Sequence, residues 1–123
     1  MLKNKIMVVE DDPDLMEMIS FKLDNEGFKV DRVVSGRQAL DRIAVNVPDC
    51  VILDVMLPDI DGLTVLNEIA NHSETKNLPV IVFSNIADQA SIEQVEAIGK
   101  YDYLVKAQTD LSQLVDLIKK RLN

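Results

Sequence analysis

Short runs of apolar and β-branched residues alternate with segments of helical periodicity along the whole chain, and this alternation constrains the fold more than any other feature. Most of the runs have the nearly continuous apolar character of strands that are covered on both faces. The predicted strands are Lys5 to Val9, Lys29 to Val34, Asp49 to Leu53, Pro79 to Ser84 and Tyr101 to Val105. The pattern predicts a doubly wound α/β fold, (βα)5, with a five-stranded parallel sheet between two layers of helices.

Residues that begin and end helices lie between these runs. Asp12 followed by Pro13 predicts the N-cap and first position of a helix that Gly27 ends. Ser35 begins the second helix, and its spacing to Gln38 predicts a capping box. Apolar spacing predicts helical faces formed by Leu15, Met18, Ile19 and Lys22 in the first helix and by Leu111, Leu114, Val115, Ile118 and Leu122 in the last. Helices near 63 to 72 and 88 to 98 complete the alternation.

Length and composition predict one domain over residues 1–123. No output domain is expected within these residues, so the protein would either act through a partner or be part of a longer chain. The net charge of −8 disfavours direct nucleic-acid binding, and the one basic cluster, Lys119 to Arg121, ends the last predicted helix, where it complements the helix dipole. No apolar run is long enough for a membrane span or a signal peptide. The lone Cys50 lies in an apolar run, which favours a buried thiol and a cytoplasmic location.

Acidic residues directly follow two strands that are neighbours in a doubly wound sheet. Glu10, Asp11 and Asp12 follow the first strand, and Asp54 follows the third. Because the carboxyl ends of parallel strands open onto one edge, these carboxylates are predicted to crowd into a shallow pocket, and their mutual repulsion favours a cation between them. Mg²⁺ prefers such hard oxygen ligands, whereas Ca²⁺ takes more of them. The alternative is that Asp11 and Asp12 only cap the first helix.

Two residues of phosphate-contacting types follow the remaining strands at the same edge. Ser84 closes the fourth strand, and Lys106 follows the fifth. Either residue alone would be ordinary surface, but together with the acids they favour phosphoryl chemistry. Asp54, held between a cation and an ammonium group, is then a candidate nucleophile toward phosphorus. The single histidine, His72, lies in a polar stretch and is predicted to be solvated, which leaves zinc sites and catalytic triads without members.

With these residues, the chain resembles a receiver domain of the bacterial two-component response-regulator family over essentially its whole length. The segment Ile6 to Pro13 is similar to the family's first strand and acidic pair, and the segment Val51 to Pro58, followed by Asp61-Gly62, is similar to its phosphoacceptor segment. Ser84 and Lys106 stand where the family has its Ser/Thr and Lys. The resemblance implies a flavodoxin-like strand order of 2-1-3-4-5.

The resemblance also implies a role for each site residue. Asp54 would be the phosphoacceptor, and Asp11, Asp54 and the backbone carbonyl of Met56 would bind Mg²⁺, with Glu10 acting through water. Lys106 would pair with the phosphoryl group, while Ser84 and the aromatic Tyr103 would form a two-state switch. The implied donor is a sensor histidine kinase or a histidine phosphotransfer protein. Phosphorylation would change the affinity for a downstream protein at the face of the fourth helix, fifth strand and fifth helix. A homodimer formed through the same face is a further possibility that the resemblance implies.

The chain departs from the family pattern at two positions. Ala107 follows Lys106 where proline is usual, often after a cis bond, and Asn85 replaces a small residue after Ser84. Met56 and Ile86, at positions that tune dephosphorylation, are apolar, which predicts a long-lived phosphoryl group. Ala107 and Asn85 leave a phosphorylation-independent pseudo-receiver as the alternative, although the intact Asp11, Asp54, Ser84 and Lys106 argue against it. A metal-dependent phosphatase ranks last, because Met56 stands where such an enzyme would have a second acid to protonate the leaving group. The chain is predicted to be a signalling phosphoacceptor and not an enzyme.

Overall fold

A computed structural model describes residues 3–123, which form a five-stranded parallel sheet with the strand order β2-β1-β3-β4-β5. This confirms the predicted fold class and strand order. The strands are β1 (Lys5–Val9), β2 (Lys29–Val33), β3 (Cys50–Leu53), β4 (Val80–Ser84) and β5 (Asp102–Val105). The helices are α1 (Pro13–Asn25), α2 (Gly36–Val45), α3 (Gly62–Asn71), α4 (Gln89–Ile98) and α5 (Leu111–Leu122), and a 3₁₀ turn covers Lys106–Gln108.

Alternate residues of the strands enter two separate hydrophobic clusters, one on each face of the sheet. Met7 and Val9 of β1 pack with α2, α3 and α4, whereas Ile6 and Val8 pack with α1 and α5. The central strands β1, β3 and β4 are therefore covered on both sides, which explains their nearly continuous apolar sequences. None of the described helices combines the length and the apolar character that a membrane span requires.

Helix α1 begins and ends as predicted but buries a different face. The Asp12 side chain accepts hydrogen bonds from the backbone at the helix start, and Gly27 adopts a positive φ of 90° just beyond the helix end. The buried residues are Met16, Ile19, Ser20 and Leu23, whereas Met18 is 59% exposed. Of the predicted face of Leu15, Met18, Ile19 and Lys22, only Ile19 is among the buried residues, because the side of the helix that faces the sheet follows the spacing 16, 19 and 23.

The second helix differs from the prediction in its capping, and the last helix makes ion pairs in addition to its predicted features. Ser35 Oγ accepts the Gln38 N–H, but the Gln38 side chain accepts the N–H of Val34, so the capping box at α2 is only half formed. Helix α5 buries Leu114, Val115 and Ile118, with Leu111 and Leu122 partly buried. The basic cluster at its end also makes two ion pairs, Lys119 with Glu26 and Arg121 with Asp102.

Cys50 is fully buried at the start of β3, as predicted. Burial raises the pKa of its thiol to about 12, so the group stays protonated at neutral pH. The thiol is therefore a packing element of the core.

Candidate functional site

The acidic cluster forms because β1 and β3 are paired neighbours that end at the same level. Val9 is in register with Leu53, and the Asp54 N–H donates to the Val9 carbonyl oxygen at 3.1 Å. Glu10, Asp11 and Asp54 therefore meet at the carboxyl edge of the sheet, with one carboxylate oxygen of each within 4.8 Å of the others. Glu10 and Asp54 are only 3% and 6% exposed, whereas Asp11 is exposed.

Lys106 lies between two of these carboxylates. Its Nζ is 2.6 Å from Asp54 Oδ2 and 2.6 Å from Glu10 Oε1. Burial is the largest single influence on the lysine and lowers its pKa, but the hydrogen bonds and charges of Asp54 and Glu10 together outweigh it, so the pKa of Lys106 is raised. The ammonium group therefore stays charged and offsets the negative charge of the buried acids.

The remaining oxygens of the two buried carboxylates are held by backbone groups. Asp54 Oδ1 accepts the N–H of Met56 at 3.0 Å, and Glu10 Oε2 accepts the N–H of Asp12 at 3.0 Å. The Met56 side chain is 62% exposed. Both oxygens of Glu10 thus have partners, while Asp11 faces solvent beside Asp54. The three carboxylates offer closely spaced oxygen donors, which are the ligands that Mg²⁺ prefers.

Ser84 and Tyr103 are joined through the loop that follows β4. Ser84 is fully buried at the end of that strand, and its Oγ accepts the N–H of Ile86 at 3.3 Å. The Tyr103 hydroxyl donates to the Ile86 carbonyl oxygen at 2.5 Å, and burial, the largest influence, raises the pKa of this phenol. Sequence reasoning missed Ile86 as the connecting residue because its contribution comes from backbone atoms, which carry no side-chain signal.

The loop from β3 to α3 packs tightly against the backbone of Asp54 and Val55. The Gly62 N–H donates to the Val55 carbonyl oxygen at 2.9 Å, and Asp61 caps α3 by accepting the N–H groups of Leu63 and Thr64. A Cβ at Gly62 would lie 2.4 Å from Val55 Cα and 2.5 Å from the Asp54 carbonyl oxygen, so only glycine fits there. The family resemblance included the pair Asp61-Gly62, but the sequence alone did not explain why these two residues are needed. The structure shows that Asp61 caps α3 and that Gly62 lies too close to the backbone of Val55 and Asp54 for a Cβ.

The Lys106–Ala107 bond and His72 complete the comparison with the predicted residues. No cis peptide bond occurs among residues 3–123, so Ala107 follows Lys106 through a trans bond. His72 is exposed and lies 3.2 Å from Glu68, as expected for a solvated histidine. A groove of about 620 Å³ lies between α2 and α3, and none of the three acids of the cluster lines it.

Comparison with known proteins places this arrangement in a family. The family model for the response regulator receiver domain matches residues 6–119. The phosphate regulon transcriptional regulatory protein PhoB of Rhizobium meliloti is 35% identical over 83% of the chain and 45% of its own length. The chain spans about half or less of the length of the curated relatives that it matches.

Two solved structures show the same likeness along almost the whole chain. A putative response regulator from Chloroflexus aurantiacus is 34% identical, with a TM-score of 0.91 and 98% of each chain covered. The BeF3-activated N-terminal receiver domain of RstA from Klebsiella pneumoniae is 28% identical, with a TM-score of 0.85 and coverage of 98% of this chain and 99% of that one. With the acidic pocket of Glu10, Asp11 and Asp54, the matches show that this chain belongs to the response regulator receiver domains, the phosphoacceptor modules of two-component signalling that partner with histidine kinases.

Proposed function

We propose that Asp54 accepts a phosphoryl group from a sensor histidine kinase or a histidine phosphotransfer protein in a reaction that depends on Mg²⁺. A carboxylate oxygen of Asp54 would attack phosphorus, the bond from phosphorus to the donor imidazole would break, and an acyl phosphate would form as the imidazole leaves. The observation that carries this proposal is the position of Asp54, which lies 2.6 Å from the Lys106 ammonium and beside the carboxylates of Glu10 and Asp11.

The cation would be held by Asp11, Asp54 and the backbone carbonyl of Met56, with Glu10 acting through water. The exposure of Asp11 and its place within 4.8 Å of the Glu10 and Asp54 carboxylates support a direct contact of Asp11 with the cation. When bound, Mg²⁺ would supply positive charge to the incoming phosphoryl oxygens. Lys106 would supply the second positive charge.

Phosphorylation would be read out at the face formed by α4, β5 and α5. Ser84 would bond a phosphoryl oxygen, and Tyr103 would move with the β4–α4 loop because its hydroxyl is already bonded to Ile86. Helix α4 buries only Val95, and every residue of β5 is partly exposed. Because α4 and β5 are only weakly anchored in the core, the charge of one phosphoryl group could shift the arrangement of this face. The downstream partner would be a protein, or a second copy of this chain.

Intact mass after incubation with acetyl phosphate tests the proposal. Wild type in Mg²⁺ is expected to gain one phosphoryl group, whereas Asp54→Ala in Mg²⁺ and wild type in chelator are expected to gain none. Asp61→Asn is the matched control, because Asp61 caps α3 and lies outside the acidic cluster, so it should leave the gain intact. Failure of both acetyl phosphate and a cognate kinase to modify wild type would favour the phosphorylation-independent module.

The phosphoryl group is expected to persist for minutes or longer without a phosphatase. The side chains of Met56 and Ile86 have no group that could orient an attacking water. Met56→Asn adds such a group at an exposed position and is expected to shorten the lifetime, as measured by the decay of the phosphorylated mass in Mg²⁺ buffer. Loss of the label from wild type within seconds would contradict this expectation.

A further inference from the structure

Asp59, in the middle of the β3–α3 loop, binds the start of a different helix. Its Oδ1 accepts the N–H of Gly36 at 2.9 Å, and its Oδ2 accepts the N–H of Arg37 at 2.8 Å. These are the first two residues of α2, whose N–H groups have no partner within the helix. The Arg37 N–H is the largest of the influences that lower the pKa of Asp59 to about 2, so the carboxylate is charged at neutral pH.

A second contact holds the same part of the loop on α2. A Cβ at Gly36 would lie 2.4 Å from Cγ1 of Ile60, so Ile60 packs where any other residue at position 36 would place its side chain. Ile60 also packs against the hydrophobic cluster shared by α2 and α3. The loop is therefore held at α2 by a charged contact and an apolar contact from adjacent residues.

The same loop carries the backbone of the proposed metal and phosphoryl site. It begins at Asp54, whose Oδ1 accepts the Met56 N–H, and its far end is fixed by the bond from Gly62 to Val55. Between Met56 and the cap at Asp61, the hydrogen bonds found to another element are those of Asp59. The bonds of Asp59 and the packing of Ile60 are therefore the contacts that tie this part of the loop to α2.

We infer that Asp59 is a positioning residue, which fixes the β3–α3 loop to α2 so that the Met56 carbonyl and the Asp54 carboxylate are preorganised for Mg²⁺. The inference rests on the proposed function, in which the Met56 carbonyl is a metal ligand. Mutation of groups that orient metal ligands commonly lowers metal affinity by about tenfold or more, and we expect an effect of about tenfold here. Asp59 itself touches neither the metal nor the phosphoryl group.

Magnesium titration followed by the backbone amide signals of the loop, without any phosphoryl donor, tests the inference. Asp59→Ala is expected to raise the Kd for Mg²⁺ about tenfold. Asp59→Asn should give an intermediate Kd, because its single carbonyl oxygen replaces two carboxylate oxygens. Ser35→Ala is the matched control: it removes the other side-chain cap of α2 and should lower the stability without changing the Kd.

An unchanged Kd in Asp59→Ala would overturn the inference and reduce Asp59 to a helix cap. An equal loss of affinity in Ser35→Ala would also overturn it, because the effect would then come from a weakened α2. Absence of Mg²⁺ binding by wild type would overturn it as well. If Asp59→Ala does not fold, the comparison of Asp59→Asn with Ser35→Ala decides. Magnesium binding without any gain of phosphoryl mass would count against the proposed function alone.

Discussion

Replacement of Lys106 by methionine is expected to lower the free energy of unfolding in Mg²⁺-free buffer by about 2 kcal/mol. The substitution keeps much of the side-chain volume but leaves Asp54 and Glu10, both nearly buried, without their shared positive partner. Added Mg²⁺ should reduce the deficit, because a bound cation restores positive charge to the cluster. Phosphoryl uptake should fall even at saturating Mg²⁺, because the ammonium that we propose contacts the phosphoryl group is gone.

Chemical denaturation with and without Mg²⁺ measures this effect, with Lys100→Met as the control at an exposed lysine. The pKa of Lys106 is raised in the folded state, so its contribution is full below the ordinary lysine value of 10.5 and is lost as the pH rises through the raised value. The stability difference between wild type and Lys106→Met should therefore disappear at strongly alkaline pH. Equal stability of the two proteins at neutral pH without Mg²⁺ would refute the bridging role.

Substitution of Gly62 by alanine is expected to destabilise the fold by about 3 kcal/mol and to disturb the site at the same time. The new Cβ would meet the backbone of Val55 and Asp54, at 2.4 Å and 2.5 Å, and backbone cannot move aside as a flexible side chain can. The Asp54 peptide must therefore shift, and phosphoryl uptake should slow in the fraction that remains folded. Thermal unfolding and the initial rate of mass gain measure the two effects.

Gly27→Ala separates these two effects. Gly27 has a positive φ but open space around its Cα, so alanine there costs about 1 kcal/mol through backbone strain alone. Its phosphoryl uptake should equal that of wild type. A Gly62→Ala protein with wild-type stability and uptake would show that the tight packing of the β3–α3 loop is not required.

The sheet and the acidic pocket could both be predicted from the sequence. The alternation of strands and helices predicted the sheet, and the residues that directly follow the strands predicted the pocket. Once β1 and β3 are recognised as neighbouring parallel strands, Glu10 and Asp54 must meet at their carboxyl ends. The same argument brings Lys106 to this edge after β5, and the structure places its ammonium between the two acids. Residue type and position relative to a strand end were enough, without any knowledge of the loops.

Contacts that depend on loop conformation or on competition between faces could not be predicted. Apolar residues occur on more than one side of α1, so spacing alone did not separate the exposed Met18 from the buried Met16. The bond from Tyr103 to the Ile86 carbonyl oxygen and the bonds from Asp59 to α2 involve backbone partners. Such partners can be identified only after the chain has been folded in three dimensions.

Hydride trapping of the acyl phosphate, followed by peptide mass mapping, tests the central claim most directly. Borohydride reduces an acyl phosphate to the alcohol and releases phosphate, so a phosphorylated aspartate becomes homoserine while free carboxylates stay unchanged. After treatment with acetyl phosphate and Mg²⁺, homoserine is expected at Asp54 and nowhere else. Homoserine at Asp11 or Asp61, or at no position in a protein that had gained phosphoryl mass, would contradict the assignment of Asp54 as the phosphoacceptor.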